Sequence, residues 1–302
     1  MFYLSNTTGD NICIYKDDGN TKIIKITDKQ DNDVKVDNVY DFVKEKDMKR
    51  LTKNMNSKDL MLLEKAIRLD IRPLDEYMSQ SYDIIKTLMS DKMHKEMTSN
   101  RGDYGIYPKR NDIVYLIGST GSGKSTSIKF YLLEFKKLYP QIKKFYLFTD
   151  NIEEDEVLKG LDIKRIKLDD QIHLNPIKPI ELKDSVCIFD DIDSIQDKKI
   201  LNAIIALKNG VCKQGVSKCG ITCIMTNHNA TDGLSCKSSI NEAKFIVLYP
   251  QGGSTGLHYL LRTKLGLSKE QYMKITQLNS RVVILHKRYP FYVIHSHGIF
   301  LL

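Results

Sequence analysis

The segment Gly118-Ser119-Thr120-Gly121-Ser122-Gly123-Lys124-Ser125 matches G-x-x-x-x-G-K-[ST] in full, with Thr126 following. Glycines at such positions let backbone N–H groups turn inward around phosphate oxygens. A helix starting at the loop adds its partial positive charge. Lys124 is expected to reach the β- and γ-phosphates. The Ser125 hydroxyl is expected to bind Mg²⁺. The loop Gly118–Thr126 therefore reads as the phosphate cradle of a nucleoside triphosphate, with ATP as the expected substrate.

A second set of residues supplies the reactive acids. Ser185-Val-Cys-Ile-Phe189-Asp190-Asp191 is an apolar run that ends on two carboxylates. Ligand chemistry in open parallel sheets sits at the C-terminal ends of the strands. Asp190 is expected to hold Mg²⁺, directly or through water. Asp191 is placed as general base toward the attacking water. Ile221-Thr-Cys-Ile-Met-Thr226-Asn227-His228 is a further apolar run with a polar tip. There Asn227 is expected to orient the water or sense the γ-phosphate, and His228 reads as a loop residue. Phosphoryl transfer also needs positive charge against the γ-phosphate, often an arginine from a neighbouring subunit. Arg262, Arg281 and Arg288 are the C-terminal candidates, and Arg262 and Arg281 are the two carried forward.

These residues need strands to deliver them. After residue 100, β-branched and apolar runs alternate with helical segments. Ile113–Ile117, Lys144–Phe148, Val186–Phe189, Ile221–Thr226 and Phe245–Leu248 read as strands. Ser125–Leu138, Leu257–Leu265 and Lys269–Leu278 read as helices, and Arg281–His286 and Tyr292–Ser296 as closing strands. The alternation predicts an α/β P-loop NTPase with a mainly parallel sheet flanked by helices. Before it lies a small α+β unit. Asn11–Tyr15 and Thr21–Ile26 form β-runs around Asp18-Gly19-Asn20, and a polar stretch follows over Asp28–Asp37. Leu60–Leu69 and Leu74–Met97 are helical, the latter with a stripe of Tyr77, Tyr82, Ile84, Ile85, Leu88 and Met89. The connector Ser99–Asp103 places the boundary between an accessory region 1–103 and an ATPase domain 104–302.

Composition bounds the rest. The 302 residues are 41% hydrophobic, enough for one sizeable core and a smaller unit. No apolar run approaches the roughly 20 residues that span a bilayer, and the start lacks the pattern of a signal peptide. Residues 201–302 carry twelve Lys/Arg against three Asp/Glu, an excess larger than the whole chain's +8. One-sided positive charge suits a polyanion, and a solvated lysine-rich surface explains it equally. Cys13 stands alone, Cys187 and Cys223 sit in apolar strand-like runs and are expected to be buried, Cys212, Cys219 and Cys236 lie in loop-like sequence, and all six are expected to be reduced, structural thiols. Cys219-x-x-x-Cys223 lacks the second pair that a zinc site needs.

With its motifs in this order, residues 108–302 resemble the genome-packaging ATPases of nucleocytoplasmic large DNA viruses, members of the FtsK–HerA superfamily. Phe189-Asp190-Asp191, Thr226-Asn227-His228 and Asn241-Glu242-Ala243 leading into Phe245–Pro250 carry the likeness. It continues through Tyr259-Leu-Leu-Arg262, Leu265-Gly-Leu267, Ser280-Arg281-Val-Val and Lys287–Val293. A Gly-Arg-His-like element frequent before the third strand is replaced here by Gly215-Val-Ser-Lys218-Cys219, leaving Lys213 or Lys218 to substitute. The resemblance implies a homo-oligomeric ring, six-membered, around double-stranded DNA, with capsid or portal-vertex proteins as partners. It implies a place in the host cytoplasm at the viral factory, and in the virion. Two other readings stand beside the packaging translocase: a nucleotide-dependent assembly switch, and a helicase-like motor of a mobile element.

Overall fold

The structure is a computed structural model that describes residues 2–17, 20–28, 43–69, 71–98, 103–150, 155–229, 233–250 and 256–302. The turn at Asp18-Gly19, the polar stretch beyond Asp28 and the connector Ser99–Gly102 lie outside the described residues. Its contacts divide the chain into two compact units. One holds residues 1–11 and 24–98, the other residues 12–23 and 99–300.

In the first unit, strand β1 (Tyr3–Ser5) pairs antiparallel with β3 (Asn20–Thr27), Leu4 opposite Ile26. Three helices follow, α1 (Glu45–Leu51), α2 (Ser57–Leu69) and α3 (Glu76–Lys95), and the short strand β4 (Glu96–Thr98) comes next. Their core is Val43, Met48, Leu63, Ile67, Tyr82, Ile85 and Met89. The apolar stripe expected on α3 proves to be two faces. Tyr82, Ile85 and Met89 fall within one arc at 100° per residue and are buried. Tyr77, Ile84 and Leu88 fall on a different arc and are exposed.

In the second unit, β2 (Asp10–Asp17) pairs antiparallel with β5 (Asp103–Ile106) from Cys13–Ile106 to Lys16–Asp103. The main sheet uses β6 (Ile113–Ile117), β7 (Lys144–Thr149), β8 (Lys164–Lys167), β9 (Ser185–Asp190), β10 (Thr222–Asn227), β11 (Phe245–Leu248), β12 (Val283–His286), β13 (Tyr292–His295) and β14 (Gly298–Leu301). Their order is β14-β13-β12-β11-β6-β10-β9-β7-β8. From β11 to β8 every pairing is parallel. β12 pairs antiparallel with β11, and β13 with β12. The central strands are buried along their length. That burial on both faces explains why they read as continuous apolar runs rather than alternating ones.

Helices α4 (Lys124–Leu138), α5 (Asp170–Leu174), α6 (Lys198–Gly210), α7 (Val216–Lys218), α8 (Gly233–Glu242) and α9 (Lys269–Thr276) flank the sheet strands in sequence. Sequence patterning leaves α6 unassigned. It forms because the Asp197 carboxylate caps the Lys199 and Ile200 N–H groups and Ile204 and Leu207 enter the core. Its end widens into a π-helical turn over Val211–Gly215, and the expected helix Leu257–Leu265 is likewise π-helical over Tyr259–Lys264. A buried charge cluster pins the entrance of β6. Asp112, fully buried, accepts from Lys244 Nζ (2.6 Å), Tyr131 Oη (3.1 Å) and the Lys109 N–H (2.8 Å). Burial still pushes its carboxyl above the usual range, against the pull of the Lys244 ammonium.

Candidate functional site

Strand β6 delivers the glycine loop to the C-terminal edge of the sheet, where Gly118 N–H donates to the Asn227 carbonyl at 3.1 Å. Gly118 has to lack a side chain. A Cβ there would stand 2.6 Å from both Ser122 Oγ and the Tyr249 ring. Gly123 has φ +110° and forms the start of α4 with no side-chain cap. The first N–H groups of α4 are thus left for a ligand, and no acidic residue occupies its first turn. Lys124 is buried, and its Nζ donates to the Gly118 carbonyl at 2.7 Å. Ser125 follows on the same first turn.

The acids stand two strands away. Asp190 ends β9 and Asn227 ends β10, which lies between β9 and β6. The register puts Asn227 beside Ile117 and Met225 beside Phe189, so all three strands release their chains at one level. Thr226 joins the acids. Its Oγ1 donates to Asp190 Oδ1 at 2.7 Å and accepts the Asp191 N–H at 3.0 Å. Asp191 holds a left-handed backbone, φ 46° and ψ 38°, uncommon for a residue with a Cβ. That turn brings its Oδ2 to 3.9 Å from Lys124 Nζ and 2.9 Å from His228 Nε2. Lys124 Nζ also lies 3.5 Å from His228 Nδ1. Burial first, then the negative Asp191, pushes the Asp190 carboxyl above its ordinary range, opposed by the Thr226 hydrogen bond.

Expected residues are thus gathered unevenly. Gly118–Ser125, Asp190, Asp191 and the Asn227 backbone converge on one edge. Thr226 and His228 join them with direct bonds, and neither stands out by residue type alone. Arg281 also arrives, from its own chain. β12 runs antiparallel, so its entrance lies at this same edge, with Val283 beside Leu248 and Leu248 beside Ile117. Arg281 Nε donates to the Ser122 carbonyl at 3.2 Å and its Nη2 to the Gly121 carbonyl at 3.3 Å. Arg262 instead donates to the Leu267 carbonyl within its own segment. Tyr249, within the Phe245–Pro250 stretch but given no role there, directs its single phenolic hydrogen between Ser127 Oγ at 2.8 Å and the Gly123 carbonyl at 3.3 Å.

The donor set suits a hard cation. Ser125 offers a hydroxyl and Asp190 a carboxylate, and Mg²⁺ is commonly held by one or two protein oxygens together with phosphates. Among the described residues no group of three or more His, Cys, Asp or Glu is placed to hold a metal. All six cysteines are buried free thiols, with Cys212 Sγ 3.6 Å from Cys223 Sγ. Beside the first turns of α4 an apolar cavity of about 270 Å³ opens, lined by Tyr104, Leu116, Thr126, Phe130, Val247 and Ile284 among others. No described helix is long and apolar enough to cross a membrane.

No protein-family model matches the chain. It is 31% identical over 214 residues to the uncharacterized protein V3 of Sputnik virophage, an alignment covering 69% of this chain and 85% of V3. Among solved structures it is similar to the genome packaging NTPase B204 of Sulfolobus turreted icosahedral virus 2 in complex with sulfate. That match has 17% identity, covers 64% of this chain and 96% of the other, and has a TM-score of 0.40. It is also similar to the cytoplasmic domain of the type VII secretion ATPase EccC of Thermomonospora curvata, at 11% identity, 67% and 28% coverage and a TM-score of 0.43.

Proposed function

The chain belongs to the family of protein V3 of Sputnik virophage, and we propose that it is a genome-packaging ATPase of the FtsK–HerA type that hydrolyses ATP to move double-stranded DNA. The observation that carries this reading is the convergence of Lys124, Asp190 and Asp191 at one sheet edge, beside a glycine loop that opens a helix.

The chemistry follows from that geometry. Lys124 exchanges its bond to the Gly118 carbonyl for the β- and γ-phosphates. Backbone N–H groups of Gly121–Thr126 hold phosphate oxygens. Mg²⁺, when bound, offsets phosphate charge, and Ser125 and Asp190 are the residues to hold it. Asp191 accepts a proton from water as the water oxygen attacks the γ-phosphorus and the bond to the β-phosphate oxygen breaks. Asn227, at the tip of the intervening strand, takes the role of orienting that water in this reading. His228, hydrogen-bonded to Asp191, holds that carboxylate in place.

DNA as the track rests on charge. The excess of Lys and Arg after residue 200 suits contact with phosphates irrespective of sequence. A ring of copies, six by the family resemblance, encloses the duplex, and capsid or portal-vertex proteins anchor it. The reading places the protein in the cytoplasm of the infected host and in the particle. The test is ATP turnover with and without duplex DNA over a range of salt, with particle size measured alongside. Stimulation by duplex that falls steeply with salt is expected. Turnover indifferent to DNA, in a protein that still assembles with nucleotide, would favour the assembly switch instead.

A further inference from the structure

A phosphate cradle works only if its N–H groups point inward, and this turns the intervening carbonyls outward. In most surface loops those carbonyls face water. Here those of Gly121 and Ser122 accept from Arg281 Nη2 and Nε, and that of Gly123, which also accepts the Ser127 N–H of α4 at 3.0 Å, accepts from Tyr249 Oη.

Both side chains are themselves fixed. Tyr249 is 1% exposed, and its ring abuts Gly118 where a Cβ would collide. Its phenol, pushed up to about 12 by burial, stays protonated and so remains a donor. That one hydrogen is shared with Ser127 Oγ at 2.8 Å, the nearer acceptor, which ties the ring to α4. Arg281 stands on an anchored backbone. The preceding Ser280, also 1% exposed, donates to the Val282 carbonyl at 2.5 Å, accepts the Ser296 N–H at 3.0 Å and pairs with Ser296 Oγ at 2.8 Å. The two donors belong to different ends of one connection. Tyr249 follows β11 directly and Arg281 precedes β12 by one residue, so both ends of the connection meet the loop.

We propose that Tyr249 and Arg281 are positioning residues that hold the loop Gly121–Gly123 in its phosphate-binding shape, so that Arg281 serves the site of its own chain rather than a neighbour's. The proposal rests on the reading of Gly118–Thr126 as a nucleotide site. It follows that the two residues set affinity for the phosphates without touching the transferring group. A preformed cradle spares bound nucleotide the cost of ordering the loop.

The test measures ADP and ATP binding by calorimetry, and steady-state hydrolysis, on the full chain. The variants are Tyr249→Phe, Arg281→Ala, Arg281→Lys and the double variant Tyr249→Phe/Arg281→Ala, with Lys124→Ala as control. Tyr249→Phe keeps the ring against Gly118, so it separates the hydroxyl from packing. Each single variant is expected to weaken ADP and ATP alike by about tenfold, with the loss in affinity rather than in kcat, since hydrogen bonds of this kind contribute on that scale. Arg281→Lys, retaining one cationic donor, should recover part of the loss. The double variant should lose less than the product of the single losses, because both act on one loop. A fall in kcat on the order of 10³ for Arg281→Ala with ADP affinity intact would overturn the proposal and make Arg281 a transition-state arginine. Wild-type affinity in both single variants, with binding abolished by Lys124→Ala, would also overturn it and leave the nucleotide site standing. Unimpaired ADP and ATP binding by Lys124→Ala would instead defeat the nucleotide-site reading itself.

Discussion

The hydroxyl of Thr226 donates to Asp190 Oδ1 at 2.7 Å while accepting the backbone N–H of Asp191 at 3.0 Å. One side chain on β10 therefore ties the carboxylate that ends β9 to the backbone of the next acid, and it does so at the strand level where the glycine loop begins.

Replacing Thr226 by valine keeps the branched shape and strands both partners. Leaving buried polar groups unpaired costs about 1–3 kcal/mol. We expect kcat to fall by roughly tenfold to a hundredfold, with ADP affinity retained. Steady-state kinetics with a parallel binding titration checks this. A loss confined to affinity would mean that Thr226 supports the loop rather than the acids.

Asp191 and His228 should separate by degree. Asp191→Asn removes the proton acceptor and is expected to lower single-turnover hydrolysis by about 10²–10⁴-fold. His228→Ala removes only one hydrogen bond to that carboxylate, 2.9 Å long, and is expected to cost about tenfold. Both should bind ADP normally. If the histidine variant proves the more damaged of the two, the roles assigned to them must be exchanged.

Asp190 links stability to function with opposite signs. Its carboxyl lies above its ordinary 3.8 in the folded chain, so the folded state favours the protonated form. That favourable contribution is complete below 3.8 and is lost as pH rises through the folded value. Burial therefore works against the ionised form of this carboxyl, with the Lys124 ammonium and the Thr226 hydroxyl partly offsetting it. Asp190→Asn keeps an acceptor for Thr226 and removes the charge. Its nucleotide-free melting temperature should exceed that of the wild type, while Mg²⁺ added with ADP should stabilise the wild type and not the variant. Thermal melts across these four conditions decide it, and a lower melting temperature for the variant would refute the sign.

An acid-sensitive group lies elsewhere in the sheet. His286 stacks on Tyr292 with ring centroids 4.4 Å apart, and its Nδ1 lies 3.0 Å from the Pro290 carbonyl. Burial pushes its pKa down from 6.5 to about 4. The neutral ring therefore contributes stability that is present above pH 6.5 and lost as pH falls toward about 4. The shift corresponds to roughly 3 kcal/mol over that window. Urea unfolding of wild type and His286→Gln at pH 7 and pH 4 should show the wild type losing that much more than the variant. Equal losses would place the acid sensitivity on other groups.

Local chemistry made much of this protein readable before any folding. Glycine spacing marks the loop Gly118–Ser125, because only residues without a Cβ fit its left-handed turn at Gly123 and its close approach at Gly118. Apolar runs ending in Asp190 and Asn227 mark central strands, because burial on both faces demands continuous hydrophobicity. What those residues do to one another was a matter of strand order. Setting β10 between β6 and β9 makes Thr226 a bridge and His228 a partner of Asp191, and no spacing along the chain encodes that neighbourhood. The antiparallel return of β12 decides the place of Arg281. A parallel strand would have carried its entrance to the far edge, away from the phosphates. Arg262 looks alike in sequence, yet its Nη1 donates to the Leu267 carbonyl of its own segment. The chemistry of the loop was thus local and legible, while the identity of the arginine beside it depended on the direction in which a distant strand re-enters the sheet.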